Sequence, residues 1–518
     1  MNNHQVKKSP VVMVGIDGAD WKIVKRLVAD GRLPALASLM GNGCHGELAS
    51  PADAYAGGVW PDFYTGKPVS EHGIYHNKLW HQAHMRVEVP TDRWLSSRPF
   101  YEALSERGFR VCVLDVPMVL GSPTPLNGLY LGGWGTHDLI SKGSWPASLW
   151  PSLTSRFGKP KMPVEQFGPQ TPEGLLKLRQ QLLATTQQIT AIARSLLQSE
   201  PWDFSCVVLG AAHRAGHYLW DASQVDDAAS AQQRAAIQHS LEEIYIACDK
   251  SLGTLMAAAP GDAVKIVFAV HGMITNHGWS DLGADIIDAL LTAGLGHRPK
   301  KGLLYQIRRR IPFQWIRPLL TRLPNAITDH LVKRWSSQMY AWTSTPYFPL
   351  PMDQAGYVRI NLKGRERDGI VAPGRDYDAL CERLESYFYG IQDADSGKPL
   401  VKNITRAWQE TPASAAARSV LPDLLIHWGE LAVGEVGSLR CDALPHFHLD
   451  VPKKTVSGRS GNHIGRGWFV AAGSAICQQA LRGYTIRDLA PTVFQQLGTP
   501  LLDSFSGRPI PLKNLHDH

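Results

Sequence analysis

Val11-Val12-Met13-Val14-Gly15-Ile16-Asp17-Gly18 is the stretch from which the fold is read. It is a short β-rich run that stops at an acid followed by glycine. Working outward, runs of the same kind recur at Val111–Val116, Phe204–Gly210, Val264–Val270, Asp423–Trp428 and Trp468–Ala472. Helical periodicity fills the intervals around Leu175–Leu197 and Ala229–Ala258. Strands alternating with helices predict an α/β fold with a mostly parallel central sheet and helices on both faces. Residues from about 296 to 420 break the rhythm, with an extended stretch at Tyr357–Leu362 and a helix near Tyr377–Tyr389. They are expected to form an inserted cap between two parts of one core, 1–295 and 421–518. No internal repeat or low-complexity tract is present.

Composition supports a large packed core. The 518 residues exceed one ordinary domain, and 44% hydrophobic against 19% charged residues excludes disorder, collagen and coiled coil. The seven cysteines are scattered without a C-x-x-C pair, which predicts reduced, mostly buried thiols. No run of 18 apolar residues occurs, so no helix is expected to span a bilayer. The sequence passes from Met1-Asn-Asn-His-Gln straight to Val11 with no apolar leader, and the cytoplasm is the expected compartment.

The net charge of +7 is concentrated. Between Arg298 and Arg334 stand ten Lys or Arg and one acid, Asp329, leaving the remainder at −2. Apolar residues interleave there, as in amphipathic helices with one cationic face. A solvated insertion, a peripheral membrane contact through 298–334 and a cap that attracts an anionic substrate are the competing readings.

Chemistry-bearing residues gather at predicted strand ends, where ligands bind in open α/β sheets. Asp17 ends the first run, His213 and His217 follow Phe204–Gly210, His271 follows Val264–Val270, and His463 precedes Trp468–Ala472. The i, i+4 spacing of His213 and His217 puts both rings on one face of a helix, as zinc sites require. A metal site is the favoured reading of the five together. Ser50 and Thr65 read as turn or capping residues, His446 and His448 as surface residues, and Gly57-Gly58 as a tight turn. Tyr55 is within reach of the pocket but is not a candidate nucleophile.

The chain resembles the alkaline phosphatase superfamily, in its type I phosphodiesterase/nucleotide pyrophosphatase branch. The resemblance is carried by Gly15-Ile-Asp-Gly18, Trp60, Thr65-Gly66, Glu71-His-Gly-Ile74, His213-Arg-Ala-Gly-His217, His271-Gly-Met273, Asn361-Leu-Lys-Gly-Arg-Glu366, Gly369-Ile-Val-Ala-Pro-Gly374, Ser460-Gly-Asn-His463, Asp488-Leu-Ala-Pro-Thr492 and Leu497-Gly498. It implies an alkaline phosphatase-like three-layer sandwich and two divalent metals, usually zinc, beside a Thr or Ser nucleophile. Carried over by position, one metal falls to His213, His217 and His463. The other falls to Asp17, residue 270, His271 and the nucleophile. The resemblance also implies an Asn that donates to the phosphoryl oxygen, and Asn77 stands 21 residues after the nucleophile slot at position 56.

Three positions depart from the pattern: His213 and Val270 replace carboxylates, and the slot itself is Ala56. Alanine has no oxygen with which to attack phosphorus. Fewer carboxylates leave one zinc tightly bound by three imidazoles and weaken the hold on a second divalent metal. The expected function is therefore metal-dependent hydrolysis of phosphodiester or related phosphoryl or sulfuryl esters, with the slot vacant as in an inactivated variant. Two alternatives accompany it: a mono-zinc, three-His hydrolase or transferase using zinc-bound water on a small metabolite, and a catalytically dead binding protein. The expected partner is a small anionic ester rather than a nucleic acid polymer.

Overall fold

The computed structural model describes residues 9–513 except 96, 122, 137–139, 141, 166, 225–228, 297–339 and 408–413. The basic segment from Arg298 to Arg334 lies outside the described residues. The Val11–Ile16 strand is buried at every position. Val12, Val14 and Ile16 enter one hydrophobic layer and Val11 and Met13 enter another. Successive side chains of a strand point to opposite faces, so an unbroken apolar run needs cover on both sides. The long helices Pro172–Leu197 and Ala231–Ala258 help cover one face. The shorter helices Val59–Thr65, Phe100–Glu106 and Leu489–Gln496 cover the other.

The strand sits near the middle of a nine-stranded sheet. In spatial order the strands are Gln479–Thr485, Gly43–Ala49, Arg466–Ala472, Val264–Ala269, Val11–Ile16, Phe204–Leu209, Val111–Leu114, Gly128–Gly132 and Gly143–Trp145. Val11–Ile16 pairs in parallel with both neighbours, whereas Arg466–Ala472 runs antiparallel to both of its own. The mostly parallel sheet between two helical layers is the expected fold class.

Two local differences from the sequence reading have physical causes. The strand expected over Val111–Val116 ends at Leu114, because Asp115 takes φ +58° and turns its carboxylate onto the backbone N–H groups of Trp134 and Gly135. Leu424–Trp428 is a strand, but it joins a separate four-stranded sheet with Tyr347–Pro349, Gly356–Ile360 and Val401–Arg406. A three-stranded sheet continues as far as Asp450, and pairing beside the metal-candidate residues resumes only at Gly461. The strand expected at Asp423–Trp428 therefore pairs outside the nine-stranded sheet. All seven cysteines are free, six of them buried. None of the described helices is long and apolar enough to cross a membrane.

Candidate metal centre

Asp17, His213 and His271 follow strand ends, His217 lies one helical turn after His213, and His463 lies within the Gly461–Ile464 strand. Asp17 follows Val11–Ile16, and its N–H donates to the Leu209 carbonyl of the neighbouring strand. Gly18 then turns with φ +70°, and a Cβ there would stand 2.8 Å from His213 Cα. Glycine is thus what lets the start of the Ala211–Tyr218 helix approach Asp17. That helix carries His213 and His217 one turn apart. His271 comes two residues after the Val264–Ala269 strand. Gly272–Thr275 then pairs antiparallel with Gly461–Ile464, which sets Met273 opposite His463. Four stretches distant in sequence converge in this way, and Asp17 and the four histidines are all buried.

The rings form one cluster. His213 Nε2 lies 2.9 Å from His463 Nε2 and 3.0 Å from His217 Nε2. Ligand atoms of His213, His271 and His463 fall within 4.8 Å of one another. His213 joins the two ligand sets that the sequence reading kept apart, because its Nδ1 also meets Asp17 Oδ2 at 2.8 Å.

Protonation follows from the partners. Burial alone raises the Asp17 carboxyl, but His213 and His271 beside it hold it well below the usual carboxylate range. Asp17 is therefore an ionised acceptor, and His213 Nδ1 is the donor. His217 Nδ1 faces the Gly461 carbonyl at 3.0 Å and must likewise carry the proton. Burial first, and then the charge of Arg459 and the neighbouring imidazoles, push His217 well below its ordinary value. Burial and His271 do the same to His463. The His213 and His217 Nε2 atoms stand 3.0 Å apart, with the Nδ1 of each ring turned to another acceptor. A shared divalent cation would fit between them, and neutral imidazole nitrogens are the donors zinc takes. The residues fit the metal.

Around the cluster stand groups whose contacts short sequence motifs do not reveal. Trp60 donates Nε1–H to Asp17 Oδ1 at 3.2 Å. Arg459 donates Nε–H and Nη2–H to Glu165 Oε1 at 3.1 and 2.6 Å, and Tyr218 donates its hydroxyl to the same oxygen at 3.0 Å. His76 Nε2 lies 3.5 Å from Asp353 Oδ1. No local spacing announces such pairs, although the nearness of Arg459 to Ser460-Gly-Asn-His463 is a partial signal.

Ala56 is buried at the junction between Ala52–Tyr55 and Val59–Thr65. Two contacts bracket it toward the cluster: Trp60 on Asp17, and Asp53 Oδ1 accepting from Gly465 N–H at 3.0 Å. A Cβ on Gly57 would stand 2.6 Å from His76 Cα, so the His76–Asn77 turn lies directly against the slot. Asn77 itself is exposed. Val270 packs in the hydrophobic layer with Val11 and Phe268 and brings no donor atom. Thr65 bonds back to the Pro61 carbonyl, and His446 and His448 are exposed.

A doubly covered, mostly parallel sheet with buried imidazoles at its strand ends is an alkaline phosphatase-like enzyme fold. The wild-type alkaline phosphatase PafA shares it at a TM-score of 0.52 and 13% identity, over 98% of this chain and 99% of that one. Human ectonucleotide pyrophosphatase/phosphodiesterase 5 shares it at 0.50 and 13%, over 97% of each chain. No match was found among curated proteins. Residues 11–396 match the type I phosphodiesterase/nucleotide pyrophosphatase family, and the chain belongs to it. It is an enzyme of that kind, a phosphoryl-ester hydrolase.

Proposed function

We propose that the chain hydrolyses phosphodiesters or closely related phosphoryl or sulfuryl esters in a zinc-dependent manner, at the His213, His217, His271 and His463 cluster. The observation that carries this reading is the convergence of buried ring nitrogens, with His213 Nε2 3.0 Å from His217 Nε2 and 2.9 Å from His463 Nε2. His213, His217 and His463 would hold the ion, which when bound supplies a Lewis acid for a phosphoryl oxygen.

The remaining roles belong to the chain itself. Asp17 orients His213 through Nδ1, and Trp60 fixes Asp17. Asn77, in the turn against Gly57, is the side chain offered to a phosphoryl oxygen. Ala56 supplies no oxygen, so attack on phosphorus in this chain falls to water rather than to a side chain. The substrate is a small anionic ester, a preference supported by the positive charge concentrated between Arg298 and Arg334.

Ala56→Thr and Ala56→Ser test this reading against aryl phosphodiesters, phosphomonoesters, sulfate esters and carboxylic esters. The native chain should form no covalent phosphoryl adduct detectable by mass. The substituted chains should form one and turn over by orders of magnitude faster. A gain on no ester with either hydroxyl would remove position 56 from the reaction.

A further inference from the structure

We propose that Arg459 is the specificity-determining residue of this site. Its guanidinium takes a second anionic group of the ester, a carboxylate, phosphate or sulfate carried beyond the reacting phosphoryl. This deepens the proposed function and rests on the reading of the imidazole cluster as the place where that phosphoryl binds.

Arg459 belongs to the stretch that builds the cluster. Its neighbour Ser460 donates N–H to the His217 carbonyl at 2.7 Å, and the Gly461 carbonyl accepts from His217 Nδ1 at 3.0 Å. The Arg459 carbonyl accepts from Asn276 Nδ2 at 2.9 Å, which pins the backbone. The side chain is braced as well. Nε and Nη2 both donate to Glu165 Oε1, the oxygen that also takes the Tyr218 hydroxyl. The Phe167 ring lies against the guanidinium, its centroid 5.3 Å from Cζ.

Those contacts use one edge of the guanidinium. Among the described residues Nη1 meets no acceptor, and 21% of the side chain is exposed. The free end presents one N–H of Nη1 and one of Nη2 in parallel, a fork that matches two oxygens of a carboxylate, phosphate or sulfate. An arginine that serves the fold alone is used up, as Arg359 is: Nε goes to Glu366, Nη1 to the Leu421 carbonyl and Nη2 to the Ser419 carbonyl. Charge points the same way. Glu165 Oε1 also faces Arg214 Nη1 at 3.8 Å, so one carboxylate stands against two guanidinium groups and cannot cancel both. Asp353 makes its close contact with His76 instead.

Arg459 is within electrostatic reach of both sides of the site. Burial is the main cause that lowers His217, and the charge of Arg459 is the next. At Asp353 burial is outweighed by His76 and then Arg459. The reacting phosphoryl has the ion and Asn77 for its oxygens, which leaves the fork of Arg459 for another group.

The test measures calorimetric binding to the full, zinc-loaded chain of phosphonates, which the enzyme cannot hydrolyse: phenylphosphonate beside its 2-, 3- and 4-carboxyl derivatives. The native chain should bind at least one carboxylated compound about tenfold more tightly than phenylphosphonate. Arg459→Met should bring the two to the same affinity at native zinc content. Arg459→Lys should keep only part of the preference, because an ammonium lacks the fork. No carboxylate preference in the native chain, or an Arg459→Met chain that keeps the preference or loses its zinc, overturns the proposal. Failure of every phosphonate to bind, or equal binding to zinc-loaded and chelator-stripped chain, would instead overturn the metal-centre reading beneath it. The native comparison needs no variant, so it decides even where Arg459→Met fails to fold.

Discussion

Asp115 shows what burial does to one residue. It is inaccessible, takes φ +58°, and accepts from the N–H groups of Trp134 and Gly135 at 2.7 and 2.5 Å. Burial still dominates, and its carboxyl is pushed up to about 7. In the unfolded chain the same group ionises near about 3.9. Between those values the folded state holds a proton that the unfolded state has released, so this group's contribution to stability declines as pH rises from about 4 to about 7. Asp115→Asn should remove that decline, as denaturant midpoints of the two chains across this range would show. An identical slope in both would contradict the assignment. Nothing local in Leu-Asp-Val-Pro reveals the role, since Trp134 and Gly135 arrive from about twenty residues away. His213 and His463 were legible because each follows or precedes a recognisable strand. The bridge from His213 to Asp17 was not, because it depends on how a helix docks.

That docking belongs to the scale of the element. The Ala211–Tyr218 helix is only eight residues long, and it leans on Gly18 at one end and on the Gly461–Ile464 strand at the other. A methyl group at residue 18 would meet His213 Cα at 2.8 Å and would force a left-handed φ on alanine. Gly18→Ala should cost about 1–2 kcal/mol from the backbone conformation alone, with a further loss as the helix shifts. Zinc affinity should fall with it. Stability and affinity both equal to the native chain would show that the helix does not need this close approach. The i, i+4 spacing was readable in the sequence; the strand pairing of Met273 with His463, 190 residues apart, was not. Pairings of that kind are settled by sheet order, which no local pattern encodes.

At the scale of the molecule, a buried charge network braces the four-stranded sheet. Asp423 accepts from Arg365 Nη1 and Nη2 at 2.7 Å each, from Ile360 N–H at 2.6 Å and from the Tyr377 hydroxyl at 3.0 Å. Burial opposes ionisation, yet Arg365 and Arg359 hold the carboxyl down at about 2. Asp423→Ala leaves Arg365 short of a partner and should cost about 3–5 kcal/mol, the penalty of breaking a buried pair. A melting temperature unchanged from the native chain would exclude that role. The sequence reading placed 421–518 in the core because Asp423–Trp428 looks like any other buried strand. Only pairing partners distinguish a strand of the small sheet from one of the large.

The hydrolase reading draws on the residues around the imidazole cluster, where Asp53 accepts from Gly465 N–H, Gly57 packs against His76, and His76 faces Asp353 at 3.5 Å. Its most direct test is the rate of aryl phosphodiester hydrolysis by chelator-stripped chain as Zn2+ is restored, for the native protein beside His463→Ala. The native chain should be inactive when stripped and regain turnover in proportion to the zinc bound. His463→Ala should bind little zinc and stay inactive. Turnover in the stripped native chain, or full activity in His463→Ala, would contradict the claim that this cluster is the reaction centre.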